Sequence, residues 1–124
     1  MISNWKILLV DDDEAVLDFL QAKLGKQYDL VSTNAPENAL KLARSQQPQL
    51  ILCDVDMPEM DGGDLSSALF ADAELRDIPV LFLTALASPH DLKRLAGQLG
   101  GRPALSKSEP VDQLVARIEA LLAR

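Results

Sequence analysis

The sequence predicts an α/β fold in which helices cover both faces of a doubly wound, five-stranded parallel sheet. Short apolar runs alternate with amphipathic stretches along the whole chain. Three of these runs are almost continuously apolar, as expected for strands that are buried on both faces. Five strand–helix units in succession favour parallel strands joined by right-handed helical crossovers. The 124 residues fit one domain spanning 1–124.

The five predicted strands follow one another along the chain with helical stretches between them. They cover residues 6–10, 30–31, 50–53, 80–83 and 104–105. The first, third and fourth consist mainly of large apolar residues. The second and fifth are short, and they are predicted mainly from their place in the alternation.

The first two helices are predicted from apolar spacing and from residues that end or begin helices. The first carries four apolar residues on one face: Val16, Phe19, Leu20 and Leu24. Gly25 follows and is expected to end this helix in a left-handed conformation. The second helix begins at Pro36 and must end before Pro48, because proline cannot continue a helix.

The other three helices are predicted in the same way. The third follows Gly62 and Gly63 and carries Leu65, Ala68 and Leu69. A capping pattern at Ser88, Pro89 and Asp91 begins the fourth. This fourth helix is expected to bury three leucines: Leu92, Leu95 and Leu99. The last helix has the clearest periodicity, with apolar residues at Val111, Leu114, Val115, Ile118, Leu121 and Leu122.

Composition and charge exclude several classes of function. Hydrophobic residues make up 48% of the chain and charged residues 25%, which is typical of a globular domain and not of a disordered or fibrous one. The formal net charge of -7 argues against direct binding of nucleic acid by this domain. The single cysteine, Cys53, allows no internal disulfide and fits a reducing compartment. No signal peptide or membrane-spanning run is visible, so a cytoplasmic protein without a membrane partner is expected.

Polar residues that can support chemistry follow four of the five predicted strands. Asp11 and Asp12 follow the first strand, Asp54 the third, Thr84 the fourth and Lys107 the fifth. In an open parallel sheet, ligands bind at the edge where the strands have their carboxyl ends. The sequence therefore predicts one site that combines three carboxylates, a hydroxyl and an ammonium group.

These groups suit a divalent cation and a phosphate. Two carboxylates about 4 Å apart repel each other by roughly 4 kcal/mol at an effective dielectric constant of about 20, and a hard cation such as Mg²⁺ relieves that repulsion. Lys107 can contact phosphoryl oxygens by charge, and Thr84 can do so by hydrogen bonding. A carboxylate beside a metal ion and a lysine can form an aspartyl-phosphate. The chemistry predicted for the site is phosphoryl transfer to an aspartate.

Four segments closely resemble the receiver domains of bacterial two-component response regulators. They are residues 7–13, 52–62, 83–85 and 106–107, and the run Asp-Val-Asp-Met-Pro-Glu-Met-Asp-Gly from Asp54 is the most specific of them. The resemblance covers the whole chain. It implies a flavodoxin-like fold with strand order 2-1-3-4-5 and a signalling module rather than an enzyme.

The resemblance also implies a role for each site residue. Asp54 would accept a phosphoryl group from a sensor histidine kinase or a phosphotransfer protein, and Thr84 and Lys107 would then contact the phosphoryl oxygens. Mg²⁺, the expected cofactor, would be held by the side chains of Asp11, Asp12 and Asp54 and by the main-chain carbonyl of Asp56. An output domain or a downstream protein would read the conformational change. A homodimer through the fourth and fifth helices is also consistent with the family.

Two positions depart from the family's pattern. Ser108 follows Lys107 where proline is usual. A cis bond before a residue other than proline costs about 2.5 to 4 kcal/mol, so the Lys107–Ser108 bond is expected to be trans, with Ser108 acting near the start of the last helix. Ala104 stands where the family usually has an aromatic residue that couples phosphorylation to movement. That coupling must therefore take another route or be weak.

Some of these residues also fit simpler interpretations or other functions. Asp12 and Asp13 are favourable at the start of a helix whether or not a metal binds, and Asp13 is interpreted only in that way. Ala104 and Ser108 suggest a receiver-like interaction module that works without phosphorylation. The Asp54-Val-Asp56 run also resembles the nucleophile motif of haloacid dehalogenase phosphatases. That motif normally follows the first strand of a longer chain, whereas here it follows the third.

Overall fold

The computed structural model describes residues 5–54, 62–85, 88–94, 98–99 and 102–123. In this part of the chain, six strands form one sheet: β1 (Lys6–Val10), β2 (Asp29–Thr33), β3 (Leu50–Asp54), β4 (Val80–Thr84), β5 (Gln98–Leu99) and β6 (Arg102–Ser106). The helices of the same residues are α1 (Glu14–Leu24), α2 (Ala39–Gln46), α3 (Gly62–Ala71), α4 (Pro89–Arg94) and α5 (Val111–Leu122). A 3₁₀ turn at Pro36–Asn38 precedes α2.

The strands lie in the order β2-β1-β3-β4-β6-β5, and all neighbours but the last pair are parallel. The five parallel strands therefore have the predicted order, and the predicted fold class is confirmed. β5 pairs antiparallel with β6 at the edge of the sheet, where Leu99 lies opposite Arg102. The prediction that the fourth helix carries Leu99 is thus wrong, because α4 ends at Arg94 and Leu99 belongs to β5. Leu95 lies outside the described residues.

Two apolar cores form because successive residues of a strand point to opposite faces of the sheet. On one face, strand residues such as Leu9 and Leu52 pack with α1 and α5. On the other face, their neighbours Leu8 and Ile51 pack with α2, α3 and α4. Burial of each such side chain contributes roughly 1.5 to 3 kcal/mol, so apolar contact holds both helical layers on the sheet.

Helix α1 differs from its prediction at two residues. Leu17 is buried together with Leu20 and Leu24, whereas Phe19 is 49% exposed. The spacing of three and four residues places these leucines on the sheet side and turns Phe19 outwards. Gly25 has a right-handed conformation with φ of -64°, and its N–H donates to the Gln21 carbonyl at 2.9 Å. The expected left-handed stop is therefore wrong, since the backbone continues helical hydrogen bonding through this glycine.

The other helix boundaries largely follow their predictions. α2 begins at Ala39 and not at Pro36 as predicted, because Pro36 begins the 3₁₀ turn. It ends before Pro48, and Gln47 adopts a left-handed conformation with φ of 48°. α3 begins at Gly62 itself, two residues earlier than predicted. The predicted cap of α4 is confirmed, because the Ser88 Oγ accepts from the Asp91 N–H and the Asp91 carboxylate accepts from the Ser88 N–H, both at 3.1 Å. No helix of the described residues is both long and apolar enough to cross a bilayer.

Candidate functional site

Buried polar side chains, that of Tyr28 aside, lie along one edge of the sheet in the described residues. They occupy the ends of the five parallel strands: Asp11, Thr33, Asp54, Thr84 and Ser106. Burying a charged group is unfavourable unless partners compensate it. The row contains two such groups, the carboxylates of Asp11 and Asp54. It marks the carboxyl edge of the sheet as the candidate site.

Asp11 and Asp54 lie side by side at this edge. β1 and β3 are paired up to Val10 and Cys53. Asp11 follows Val10 in the sequence, and Asp54 follows Cys53. Alternation along the strands directs both carboxylates to the α1 and α5 side of the sheet. Asp11 is 2% exposed and Asp54 is 3% exposed. The predicted convergence of these carboxylates is therefore found.

Lys107 supplies the positive charge between these two carboxylates. Its Nζ lies 2.9 Å from Asp11 Oδ2 and 3.4 Å from Asp54 Oδ2, and its backbone N–H donates to the Thr84 carbonyl at 2.8 Å. Burial by itself would lower the pKa of the Lys107 ammonium, but both carboxylates outweigh that effect and the pKa is raised. The lysine is therefore held in its charged form at neutral pH.

The two oxygens of the Asp11 carboxylate have different partners. Its Oδ1 accepts from the Asp13 N–H at 2.9 Å. Its Oδ2 is buried and lies 2.9 Å from the Lys107 ammonium, with which it forms an ion pair. Burial raises the pKa of Asp11, and the nearby Asp54 adds to that rise against the lowering effects of Lys107 and the Asp13 N–H.

Three carboxylates here have the arrangement of a metal-binding group. One carboxylate oxygen from each of Asp11, Asp12 and Asp54 lies within 4.8 Å of the others, and Asp12 is exposed to solvent. Oxygen ligands at an edge open to water suit a hard divalent cation that keeps some of its waters. Asp56, the fourth expected ligand, lies outside the described residues.

The neighbouring residues fit simpler interpretations. Asp13 caps α1, since its side chain accepts from the Ala15 N–H at 2.9 Å, as predicted. Thr84 is buried at the end of β4, adjacent to the strand of Asp54. Burial, and then the nearby Asp54, raise the pKa of the Cys53 thiol to about 12. Cys53 is therefore a protonated core residue at neutral pH and not a reactive thiolate.

Both departures from the family pattern lie in the described residues. The Lys107–Ser108 bond is trans, as predicted. Ser108 lies two residues before Pro110, the N-cap of α5, and gives that helix no side-chain cap. Within this part of the chain its hydrogen bonds are to Ser106, a contact that was not predicted. The signal for it was the serine two residues earlier, because a serine hydroxyl often accepts from the N–H two residues on. Ala104 is buried beside Phe82 of β4, its partner in the sheet register, in the core that α2, α3 and α4 cover.

Comparison with known proteins points in one direction. The family model for the response regulator receiver domain matches residues 7–119. The alkaline phosphatase synthesis transcriptional regulatory protein PhoP of Bacillus subtilis is 35% identical over 98% of this chain and 50% of its own length. The polar-differentiation response regulator DivK of Brucella ovis is 32% identical over 94% of both chains. The chain thus spans about half the length of the first of these relatives and nearly all of the second.

Solved structures give the same result. The N-terminal domain of a response regulator receiver protein from Methanoculleus marisnigri is similar over 98% of this chain and 99% of its own, with a TM-score of 0.70 and 31% identity. The chemotaxis response regulator CheY4 of Vibrio cholerae covers 96% of this chain and 99% of its own, with a TM-score of 0.80 and 25% identity. Fold and sequence therefore agree on the proteins to which the chain is similar.

Proposed function

Since the chain belongs to the response regulator receiver domain family of two-component systems, we propose that it accepts a phosphoryl group on Asp54 and relays a conformational change. One observation supports this most strongly. The Lys107 ammonium lies within 3.4 Å of Asp54 and 2.9 Å of Asp11 at the carboxyl edge of the sheet. A nucleophilic carboxylate is thereby placed beside the positive charge that a phosphoryl group needs.

The proposed reaction uses three side chains of this edge. A carboxylate oxygen of Asp54 forms a bond to phosphorus, while the bond from phosphorus to the histidine nitrogen of the donor breaks and its electron pair remains on that nitrogen. Lys107 then balances the charge of the phosphoryl oxygens. The Thr84 hydroxyl donates a hydrogen bond to one of them. Asp54 is itself the acceptor of the phosphoryl group, so we propose that the domain acts as a signalling module rather than an enzyme.

Asp11, Asp12 and Asp54 would hold Mg²⁺, together with the main-chain carbonyl of Asp56. The three carboxylates fit this ion because they are oxygen ligands that converge at an edge open to solvent. When bound, Mg²⁺ neutralises negative charge on the transferred group. Asp13 contributes indirectly, because its N–H holds the Asp11 carboxylate in place.

The partners follow from the same proposal. A sensor histidine kinase or a phosphotransfer protein supplies the phosphoryl group, and an output domain or a separate protein reads the result. Several of the curated relatives are transcriptional regulators about twice as long as this chain. The acidic net charge of -7 makes direct nucleic-acid binding by this domain itself unfavourable. A cytoplasmic location and a homodimer through α4 and α5 remain parts of the proposal.

The test is phosphorylation by a small donor. The protein is incubated with acetyl phosphate and Mg²⁺, and its intact mass is measured. We expect one phosphoryl adduct in the wild type and none in Asp54→Asn. Asp29→Asn is the matched control, because Asp29 begins β2 at the amino edge of the sheet, and it should also acquire one adduct. An adduct that persists in Asp54→Asn, or no adduct in the wild type, would contradict the proposal.

Two alternatives predict different outcomes. For an interaction module that works without phosphate, the wild type and Asp54→Asn would bind a partner equally, with or without acetyl phosphate. The buried Ala104 and the trans Lys107–Ser108 bond are the features that motivate it. For a phosphatase of the haloacid dehalogenase type, sustained release of inorganic phosphate from a phosphate ester would be observed.

A further inference from the structure

Lys107 occupies a tight turn between β6 and α5. The turn spans Ser106 to Glu109 and is closed by the Glu109 N–H, which donates to the Ser106 carbonyl at 3.0 Å. Before it, the Lys107 N–H is fixed to the Thr84 carbonyl of β4 at 2.8 Å. The backbone of Lys107 is therefore held by a hydrogen bond to the neighbouring strand and by the contacts that stabilise the turn.

Two serine hydroxyls stabilise this turn. The Ser106 Oγ accepts from the Ser108 N–H at 3.2 Å and lies 2.7 Å from the Ser108 Oγ, where either hydroxyl can donate. Ser106 is 4% exposed, whereas Ser108 is exposed. The buried hydroxyl thus takes part in both bonds, and loss of the Ser106 hydroxyl would leave the Ser108 N–H without this acceptor.

We infer that the hydroxyl pair of Ser106 and Ser108 positions Lys107 for reaction at Asp54. This inference rests on the proposed function, because it concerns the same phosphoryl transfer. Neither serine touches the reacting atoms, so both are positioning residues. Their effect passes through the backbone of Lys107, whose long side chain must bring its ammonium to 2.9 Å from Asp11 and 3.4 Å from Asp54.

The sequence of this turn explains why such a pair is needed. Serine is favoured at the first position of a four-residue turn, where its hydroxyl can accept from the N–H two residues on. Lys107 at the second position is flexible, because its side chain has four rotatable methylene groups. The third residue, Ser108, lacks the ring by which a proline would restrict the backbone. Its hydrogen bonds to Ser106 restrict the backbone instead. A displacement of about 1 Å in a group that contacts the reacting atoms can slow a reaction by orders of magnitude.

The test compares four variants by the rate of Asp54 phosphorylation at saturating acetyl phosphate. Ser106→Ala removes both bonds, Ser108→Ala removes only the bond between hydroxyls, and Ser106→Thr keeps a hydroxyl. Ser45→Ala is the matched control, since the Ser45 hydroxyl also bonds to backbone but in α2. We expect a rate about tenfold lower for Ser106→Ala and about threefold lower for Ser108→Ala, as loss of one or two hydrogen bonds implies. Ser106→Thr and Ser45→Ala should react at close to the wild-type rate.

Two further readouts separate positioning from general damage to the site. The Mg²⁺ concentration at half-maximal rate should be unchanged in Ser106→Ala, since the three carboxylates are not altered. Hydrogen exchange at the Ser108 amide should accelerate in Ser106→Ala and remain slow in Ser106→Thr, and this readout does not depend on phosphorylation.

The outcomes that overturn the inference are distinct from failure of the proposed function. A wild-type phosphorylation rate in Ser106→Ala would overturn the positioning role alone. The same holds for unchanged exchange at the Ser108 amide, or for a tenfold shift in Mg²⁺ dependence. If the wild type itself acquired no phosphoryl group while its Ser108 amide was protected, the proposed function would fail and the positioning role with it.

Discussion

Charged residues are buried at one end of the parallel sheet and reach solvent at the other. At the carboxyl edge, Asp11 and Asp54 are buried and share the ammonium of Lys107. At the amino edge, Lys6 lies 4.0 Å from Asp29, and both side chains reach solvent. Water screens the second pair, so its contribution to folding is small. The buried group of Asp11, Asp54 and Lys107 exchanges hydration for protein contacts, and removal of one member leaves an uncompensated charge.

This difference indicates that the buried charged groups at the carboxyl edge serve a reaction and not the stability of the fold. Surface pairs such as Lys6 and Asp29 can be lost at little expense in stability. A buried group of two carboxylates and one lysine is no more stable than apolar packing would be. Its presence at the end of a sheet with complete apolar cores is explained by the reaction proposed for Asp54. The following variants test that contrast.

The largest effect is expected for Lys107→Ala in Mg²⁺-free buffer. It leaves Asp11 and Asp54 buried together without a cation. We expect the free energy of unfolding in urea to fall by about 2 kcal/mol, less than for a fully buried pair because Lys107 is 21% exposed. Added Mg²⁺ should recover part of the loss, since it would bind the same carboxylates. A loss no greater than that of Lys6→Ala would contradict the contrast between the two edges.

Tyr28 makes a short hydrogen bond to a charged side chain near the amino edge of the described sheet. Its hydroxyl donates to Glu119 Oε2 at 2.7 Å. We expect Tyr28→Phe to lower the free energy of unfolding by about 1.5 kcal/mol near neutral pH, as for a hydrogen bond to a charged group. Urea unfolding of both proteins measures this. Phosphorylation of Asp54 should be unaffected, because Tyr28 lies at the other end of the strands.

The same contact predicts a dependence on alkaline pH. Burial, and then Glu119, raise the pKa of Tyr28 in the folded protein. The neutral phenol is therefore favoured by folding, and its contribution is complete below the ordinary pKa of about 10 and declines as the pH rises above it. The stability difference between wild type and Tyr28→Phe should shrink in that range. The chain has one tyrosine, so tyrosinate absorbance reports its titration directly. A midpoint at the ordinary value would contradict the contact.

A smaller effect is expected for Asp13→Ala, which removes the side-chain cap of α1. Loss of such a cap costs about 1 kcal/mol of stability. The Asp13 N–H still donates to Asp11, so the rate of phosphorylation should change little. Thermal unfolding of Asp13→Ala and of Asp18→Ala, an exposed residue within α1, measures the effect. A phosphorylation defect as large as that of Lys107→Ala would show that Asp13 does more than cap the helix.

The smallest effect is expected for Lys6→Ala at the amino edge. Its contacts to Asp29 and Gln46 are partly exposed. The loss of stability should be about 0.5 kcal/mol or less and should shrink further with added salt, which screens exposed charges. Urea unfolding at low and high ionic strength measures it. A loss that salt does not change would indicate packing by the lysine stem and not its charge.

Local sequence patterns predicted most of the elements. The apolar strands, the cap formed by Ser88 and Asp91, and the end of α2 before Pro48 all depend on residues close together in the chain. The errors arose where distant contacts decide. Phe19 has the apolar character of a core residue, yet it points outwards because Leu17 and Leu20 meet the sheet. Leu99 fits a helical period, yet it pairs with β6.

The sequence by itself determined which residues could form the site, since Asp11, Asp54, Thr84 and Lys107 each follow a strand and parallel strands bring their carboxyl ends together. Only the tertiary structure decided that Lys107 contacts both carboxylates and that Ser106 and Ser108 fix its turn. The reason is physical. Strand and helix patterns reflect interactions between neighbours in sequence, whereas burial and ion pairing depend on distances between residues that are separated by whole strands and helices.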